Sequence, residues 1–198
     1  ELDRRLIQEK ILNIKKRLSK VKSRRQVQRN LRKNNNFKTV ALIGYTNAGK
    51  TLLFNKLTKK KQSSRSRLFE TLDTKISRVY LGENIYIGLI DTVGFINNIP
   101  TSLIESFKAT LEEVNTADIL LNIVDINDLN AKQKIRVTKN ILKDTGVEKN
   151  KISEMITIYN KIDLKEFKSS HHYKKNYISA LTGEGVSDLK RTLKNSLI

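Results

Sequence analysis

Gly44-Tyr45-Thr46-Asn47-Ala48-Gly49-Lys50-Thr51 is the stretch on which the reading of this chain turns. It fits the pattern G-x-x-x-x-G-K-[ST], in which a glycine-bounded loop wraps phosphate groups. Before it, Thr39-Val40-Ala41-Leu42-Ile43 is a short apolar, β-branched run that reads as a buried strand. After it, Thr51-Leu52-Leu53-Phe54-Asn55-Lys56-Leu57 has the apolar spacing of a helix. A strand, a tight loop and a helix start aim several backbone N–H groups and a helix dipole at one point, which suits a polyphosphate. Gly44 and Gly49 let the backbone approach the ligand, and Tyr45 through Ala48 form the rest of the cradle. Lys50 can bridge the outer phosphates, the Thr51 hydroxyl can ligate Mg²⁺, and Leu52 offers a backbone N–H. A chance match in a lysine-containing loop would not bring both flanks with it. A nucleoside triphosphate is implied.

Two further motifs fall at strand ends, where open α/β sheets bind ligands. Asp91-Thr92-Val93-Gly94 follows Ile85-Tyr86-Ile87-Gly88-Leu89-Ile90, a second apolar strand. Asp91 can hold Mg²⁺ through its water shell, and the Gly94 N–H can meet a γ-phosphate. D-x-x-G alone is a weak match, but one strand pair after a phosphate loop it is strong. Asn160-Lys161-Ile162-Asp163 follows a later strand, Met155 to Tyr159, and reads as the base reader. The Asp163 carboxylate can accept from N1–H and the exocyclic amine of guanine, a donor pair that adenine lacks. Asn160 and the Lys161 stem would support the ring, with Ile162 between them. Ser179-Ala180-Leu181 follows the last strand end, Tyr177-Ile178, and the Ala180 N–H could reach guanine O6. The nucleotide is thereby GTP or GDP. Thr71, between Phe69 and Asp73, could complete the Mg²⁺ shell when a γ-phosphate is present, which would make Phe69-Glu70-Thr71-Leu72-Asp73 a switch. The residues alone do not choose Thr71 over its Ser and Thr neighbours.

Composition bounds the rest. The chain has 198 residues, 39 Lys and Arg against 20 Asp and Glu, and a net charge of +19. That excess implies a polyanionic partner: RNA, DNA or an anionic membrane surface. There is no cysteine, hence no disulfide or thiolate metal site, and no run of membrane-spanning length. Residues 1–36 read as a basic arm and linker, and residues 37–198 as a second domain. Ile7, Ile11, Ile14, Leu18 and Val21 alternate steps of four and three, a short coiled-coil-like seam that fails at Arg25. Through Lys38 there are 14 Lys and Arg against 3 acidic residues, so +11 of the +19 lies there. Such an arm either lies along phosphates or is a solvated helix face, and Asn34-Asn35-Asn36 ends it. From Phe37 on, strands and helices alternate, the pattern of an α/β domain with a mostly parallel central sheet flanked by helices. Ile76 to Leu81 alternates and turns at Gly82-Glu83-Asn84 into the next strand. Helices are expected over 102–113, 131–143 and 183–197, and a strand over 119–124. The chain begins at Glu1, mid-pattern, and reads as part of a longer protein.

Taken together, these residues resemble the HflX family of ribosome-associated GTPases, related to the Obg and Era groups. The resemblance rests on Leu2-Asp3-Arg4-Arg5-Leu6-Ile7, the Thr39-to-Lys50 stretch, Leu68-Phe69-Glu70-Thr71-Leu72-Asp73, Asp91-Thr92-Val93-Gly94-Phe95-Ile96 and Phe107-Lys108-Ala109-Thr110-Leu111. It implies a P-loop GTPase fold with the end of a helical linker before it, and it makes Thr71 the switch threonine. It also implies binding to the large ribosomal subunit and its RNA, with splitting or rescue of ribosomes as the outcome. An Obg- or Era-like role in ribosome assembly is the neighbouring reading. An RNA-binding module with a barely hydrolytic nucleotide site is the reading from another class. A monomeric, cytoplasmic protein, or one of an organellar matrix if the source is eukaryotic, is the expectation. The chain departs from the family at Thr51-Leu52, where Ser-Thr is usual, at Thr74, where proline is usual, and at Leu181, where many GTPases carry lysine. Phe95 stands where Ras-type GTPases place the glutamine that orients water, so no catalytic side chain is assigned and intrinsic hydrolysis should be slow. Asn47 matches the phosphate-loop form of potassium-activated GTPases, which makes K⁺ a candidate second ion.

Overall fold

The computed structural model describes residues 37–59, 75–92, 94–95, 111–164 and 176–197. The expected basic arm, the Phe69-to-Asp73 switch and Val93 lie outside the described residues. Strand β1 (Thr39–Ile43) is buried along its whole length: it has a parallel neighbour on each side, β3 (Ile85–Asp91) and β4 (Ile119–Asp125), and a hydrophobic cluster covers each of its faces. A strand covered on both faces needs no polar alternation, which is why its sequence reads as one apolar run. Strand β2 (Lys75–Gly82) runs antiparallel to β3 on the sheet edge, and β5 (Ile156–Asn160) runs parallel to β4 on the other side. The order is β2-β3-β1-β4-β5. Glu83 and Asn84 turn the β2–β3 hairpin at φ 47° and 60°, the doubly left-handed geometry that suits the twist of the strands. Edge strand β2 alternates as expected: Ser77, Val79 and Leu81 are buried, while Ile76, Arg78 and Tyr80 are exposed.

Alternate residues of β1 face two different hydrophobic clusters. Val40 and Leu42 join Leu53, Phe54 and Leu57 of α1 (Lys50–Thr58) and Leu189 and Leu193 of α4 (Val186–Asn195). Ala41 and Ile43 join Val114 of the helical residues 111–116, Leu142 of α2 (Ala131–Asp144) and, at the margin, Ile152 of α3 (Lys149–Ser153). The sheet is therefore sandwiched between helices, and the C-terminal ends of β1, β3, β4 and β5 are left to carry loops. Asp118 ties the start of the sheet, accepting from the Thr39 N–H at 2.8 Å and the Thr39 hydroxyl at 3.0 Å.

Three details differ from the expectation. The last helix begins at Val186, because Gly183 and Gly185 adopt φ 97° and 73° and turn the chain first. A Cβ at Gly185 would meet the Tyr177 carbonyl at 2.3 Å, so the turn sits against the preceding segment. Tyr177-Ile178 contributes a single parallel bridge from Tyr177 to Tyr159. The short α3 gave no periodic signal because Lys149-Asn150-Lys151-Ile152-Ser153 holds one apolar residue. Among the described residues, no helix is long and apolar enough to cross a membrane.

Candidate functional site

The loop between β1 and α1 is held by the residues that follow β3. The Phe95 N–H donates to the Gly44 carbonyl at 3.0 Å, and the Thr46 N–H donates to the Phe95 carbonyl at 2.9 Å. Phe95 is fully buried and packs with Tyr45, Ile43 and Ile90, so it anchors the loop and presents no polar group. Gly94 is required by space. A Cβ there would lie 2.8 Å from the Lys50 Nζ and 2.8 Å from the Thr46 backbone. Gly44 has φ 134°, and a Cβ on it would collide with the Ile123 carbonyl at 2.3 Å. Asn47 is left-handed at φ 61°, a conformation that asparagine tolerates better than most residues.

Lys50 opens α1, and its Nζ curls back to donate to the carbonyls of Gly44 at 3.1 Å and Tyr45 at 2.8 Å. Only 6% of the residue is exposed. Burial pulls the Lys50 ammonium down to about 8, with nearby Asp91 acting in the opposite sense. A buried cation whose acceptors are two neutral carbonyls is arranged to receive an anion. Next along α1, the Thr51 hydroxyl donates to the Asp91 carboxylate at 3.0 Å, and Asp91 is itself fully buried at the end of β3. Thr92 follows, its hydroxyl donating to the Leu42 carbonyl of β1. Leu52 lies in the first turn of α1. The hydroxyl–carboxylate pair fits a Mg²⁺ that keeps most of its waters and takes its remaining ligands from phosphates. Among the described residues no cluster of three or more His, Cys, Asp or Glu could hold a metal without such help.

The base-reader motif converges on the same loop from β5. Asn160, 1% exposed, donates from Nδ2 to the Ala48 carbonyl at 2.8 Å, and its Oδ1 accepts from the Ala180 N–H at 2.9 Å. One amide thus joins the phosphate loop to the Ser179-Ala180-Leu181 turn. A Cβ at Gly49, whose φ is 94°, would lie 2.2 Å from that same Nδ2, so the second glycine makes room for this contact. The Ala180 N–H, expected to meet a base oxygen, is shared with Asn160, and a base would have to take a bifurcated bond. Asp163 stands in the short turn Ile162–Leu164, exposed, with Oδ1 accepting from the fully buried Ser179 hydroxyl. Ile162 is buried beneath it, and the Leu181 side chain is 63% exposed.

Sequence reasoning did not find two supporting residues. Lys161 is held left-handed at φ 68°, and its Nζ pairs with the Asp125 carboxylate at 2.8 Å. Asn127 donates to the Lys161 carbonyl at 3.0 Å and receives Asp125 as its own acceptor. The signal was present as Asp125-Ile126-Asn127 at the end of β4, the strand paired with β5, but only the register places Asp125 opposite Asn160. The structure therefore brings together Gly44 through Thr51, Asp91, Thr92, Gly94, Phe95, Asn160, Lys161 and Ser179 to Leu181, with Asp163 held by Ser179.

Residues 39–161 match the family described as 50S ribosome-binding GTPase. The whole chain is 39% identical to the GTPase HflX of Caldanaerobacter subterraneus subsp. tengcongensis, covering 45% of that protein. It is likewise 35% identical to the GTPase HflX of Escherichia coli, covering 47% of it. The chain thus spans less than half the length of these curated relatives. Among solved structures, it is 25% identical to a GTP-binding protein from Sulfolobus solfataricus in complex with GDP, at a TM-score of 0.62 over 90% of this chain and 58% of that one. An Era variant of Aquifex aeolicus bound to GDP and aluminium fluoride, 22% identical, shares the fold at a TM-score of 0.60 over 79% of this chain and 56% of that one. The family match takes in the whole phosphate loop and the Asn160-Lys161 pair that braces it, and the full-length identities agree: this chain belongs to the 50S ribosome-binding GTPases and, within them, is an HflX-family GTPase domain.

Proposed function

We propose that the chain is a GTP-hydrolysing molecular switch that associates with the large ribosomal subunit and acts in the splitting or rescue of ribosomes. One observation supports the guanine-nucleotide part above the others. A buried cation, Lys50, and a hydroxyl–carboxylate pair, Thr51 and Asp91, meet at one end of the sheet, with a serine-held carboxylate, Asp163, on a loop braced to them through Asn160. In this reading Lys50 and the N–H groups of Gly44 to Leu52 hold the phosphates, and Gly94 lends its N–H to the γ-phosphate. Thr51 would be a direct Mg²⁺ ligand and Asp91 a partner of its water shell, the ion supplying charge neutralisation between the phosphates. Thr71, within Phe69-to-Asp73, would close over the γ-phosphate in the GTP state. Asp163 would accept from guanine N1–H and the exocyclic amine, oriented by Ser179. K⁺ near Asn47 would add positive charge where an arginine finger acts elsewhere.

The ribosomal part is supported by the family description and by the net charge of +19. The complete burial of Phe95 favours a second reading as well, an RNA-binding module whose nucleotide site hydrolyses barely at all. Co-sedimentation with large subunits separates a switch from a plain binder. Binding that is strong with a non-hydrolysable GTP analogue and weak with GDP or no nucleotide is expected. Equal binding in all three conditions would contradict the switch.

A further inference from the structure

Helix α2, with the sequence Ala-Lys-Gln-Lys-Ile-Arg-Val-Thr-Lys-Asn-Ile-Leu-Lys-Asp, carries five basic residues and a single acid, Asp144 at its end. Lys134 is used internally: it pairs with Asp128 and lies 5.2 Å from the centre of the Tyr45 ring of the phosphate loop. The other four are Lys132, Arg136, Lys139 and Lys143, at steps of four, three and four, which puts them on one face. All four are exposed, and among the described residues none has an ion pair or a side-chain hydrogen bond. Like charges four residues apart destabilise a helix, so helix stability does not account for the stripe. Their spacing along the axis is about 6, 4.5 and 6 Å, a straight row of roughly 16 Å. The opposite face of α2, with Thr138 and Leu142, is buried in the core.

We propose that this stripe is a docking surface for RNA, laid along the phosphates of one strand. The proposal rests on the ribosomal reading above, and names the part of this domain that meets ribosomal RNA. Charge complementarity selects a polyanion. The face is flanked by Gln133 and Asn140, and apart from Leu129 ahead of the helix it offers no apolar side chains to enter a bilayer. RNA fits such a surface and a membrane does not. Because Lys134 and Tyr45 join the same helix to the phosphate loop, RNA seated on α2 presses on an element that also borders the nucleotide.

The full chain carrying Arg136→Gln and Lys139→Gln tests this, with Lys59→Gln and Lys190→Gln, an equal charge change away from α2, as the control. Binding to large subunits is measured over a salt series. Two lost phosphate contacts should flatten the slope of log affinity against log salt by roughly 1.5 and weaken low-salt binding by about tenfold or more. The control should stay within about threefold, and GTP affinity should be the same in all three proteins. Equal slopes for the stripe variant and the control would overturn the proposal. If the unaltered chain fails to bind subunits, the ribosomal reading falls, and the same series on a naked A-form RNA duplex decides the stripe by the same criterion. Stripe-dependent binding to phosphatidylserine vesicles, with RNA binding unchanged, would overturn it in favour of a membrane.

Discussion

In the proposed reading Asp163 and Lys50 meet the two ends of one ligand, Asp163 held by Ser179 and Lys50 by the carbonyls of Gly44 and Tyr45. The Ser179 hydroxyl that holds Asp163 is fully buried, so the carboxylate arrives already oriented. Asp163→Asn replaces an acceptor with a donor. Titration should show a loss of GTP affinity of at least about a hundredfold and a gain for xanthosine triphosphate. Unchanged GTP affinity would mean that the base is read elsewhere. Lys50 makes a statement about pH. The fold releases its proton from about 8 upward, against an ordinary value of 10.5, because burial disfavours the charge. The unfolded chain keeps the proton through that window, so the nucleotide-free fold gains stability from Lys50 as pH rises from about 8 to 10.5. Below it, the full penalty of a buried charge is present. Phosphates would hold the lysine protonated, so nucleotide binding near pH 8.5 should take up a proton and weaken as pH rises further. Calorimetry in buffers of different ionisation enthalpy measures this, and zero uptake would contradict the assignment of Lys50 to the phosphates.

At the scale of elements, the site is a set of strand ends tied by side chains. Asn160 at the end of β5 holds the phosphate loop and the Ser179-Ala180 turn at once. Asn160→Ala would strand a buried carbonyl and weaken the hold on a buried N–H, a loss of about 2–4 kcal/mol of stability in denaturant unfolding. A loss within about 0.5 kcal/mol would show that the tie is unimportant. Much of this was legible beforehand. The phosphate loop could be read because its glycines, its lysine and its flanking periodicities are local features. Asn160 could be read because it ends strand β5, whereas Asp163 was legible only as part of the motif, its side chain being held by Ser179. Asp125 and Asn127 could not, since their part depends on the pairing of β4 with β5, a contact between segments more than thirty residues apart in the chain. The engagement of Ser179 with Asp163 was missed because it too depends on a tertiary contact, between the turn after β5 and the segment that follows Tyr177-Ile178. The helix boundary at Val186 was missed because the two left-handed glycines before it sit against distant segments, Gly183 against Lys56 and Gly185 against Tyr177 and Ile178, which sequence alone does not place there.

As a whole, the molecule combines a candidate nucleotide site at the C-terminal ends of the strands with a large positive charge. Of the +19 charge, +11 lies in residues 1–38, so 19 − 11 = +8 remains with the rest of the chain. If the N-terminal arm touches RNA, deleting residues 1–36 should weaken binding to large subunits and flatten its salt dependence, leaving GTP affinity unchanged. Equal salt slopes with and without the arm would make it a solvated helix face instead. The central claim is that this domain is a slow GTPase awaiting a partner, since Phe95 is buried where a water-orienting side chain would stand. Single-turnover GTP hydrolysis, in matched K⁺ and Na⁺ buffers with and without large ribosomal subunits, tests it most directly. The account predicts slow turnover by the isolated chain in Na⁺, a rise in K⁺, and a much larger rise with subunits. Fast hydrolysis by the isolated chain in Na⁺, unaffected by either addition, would contradict it.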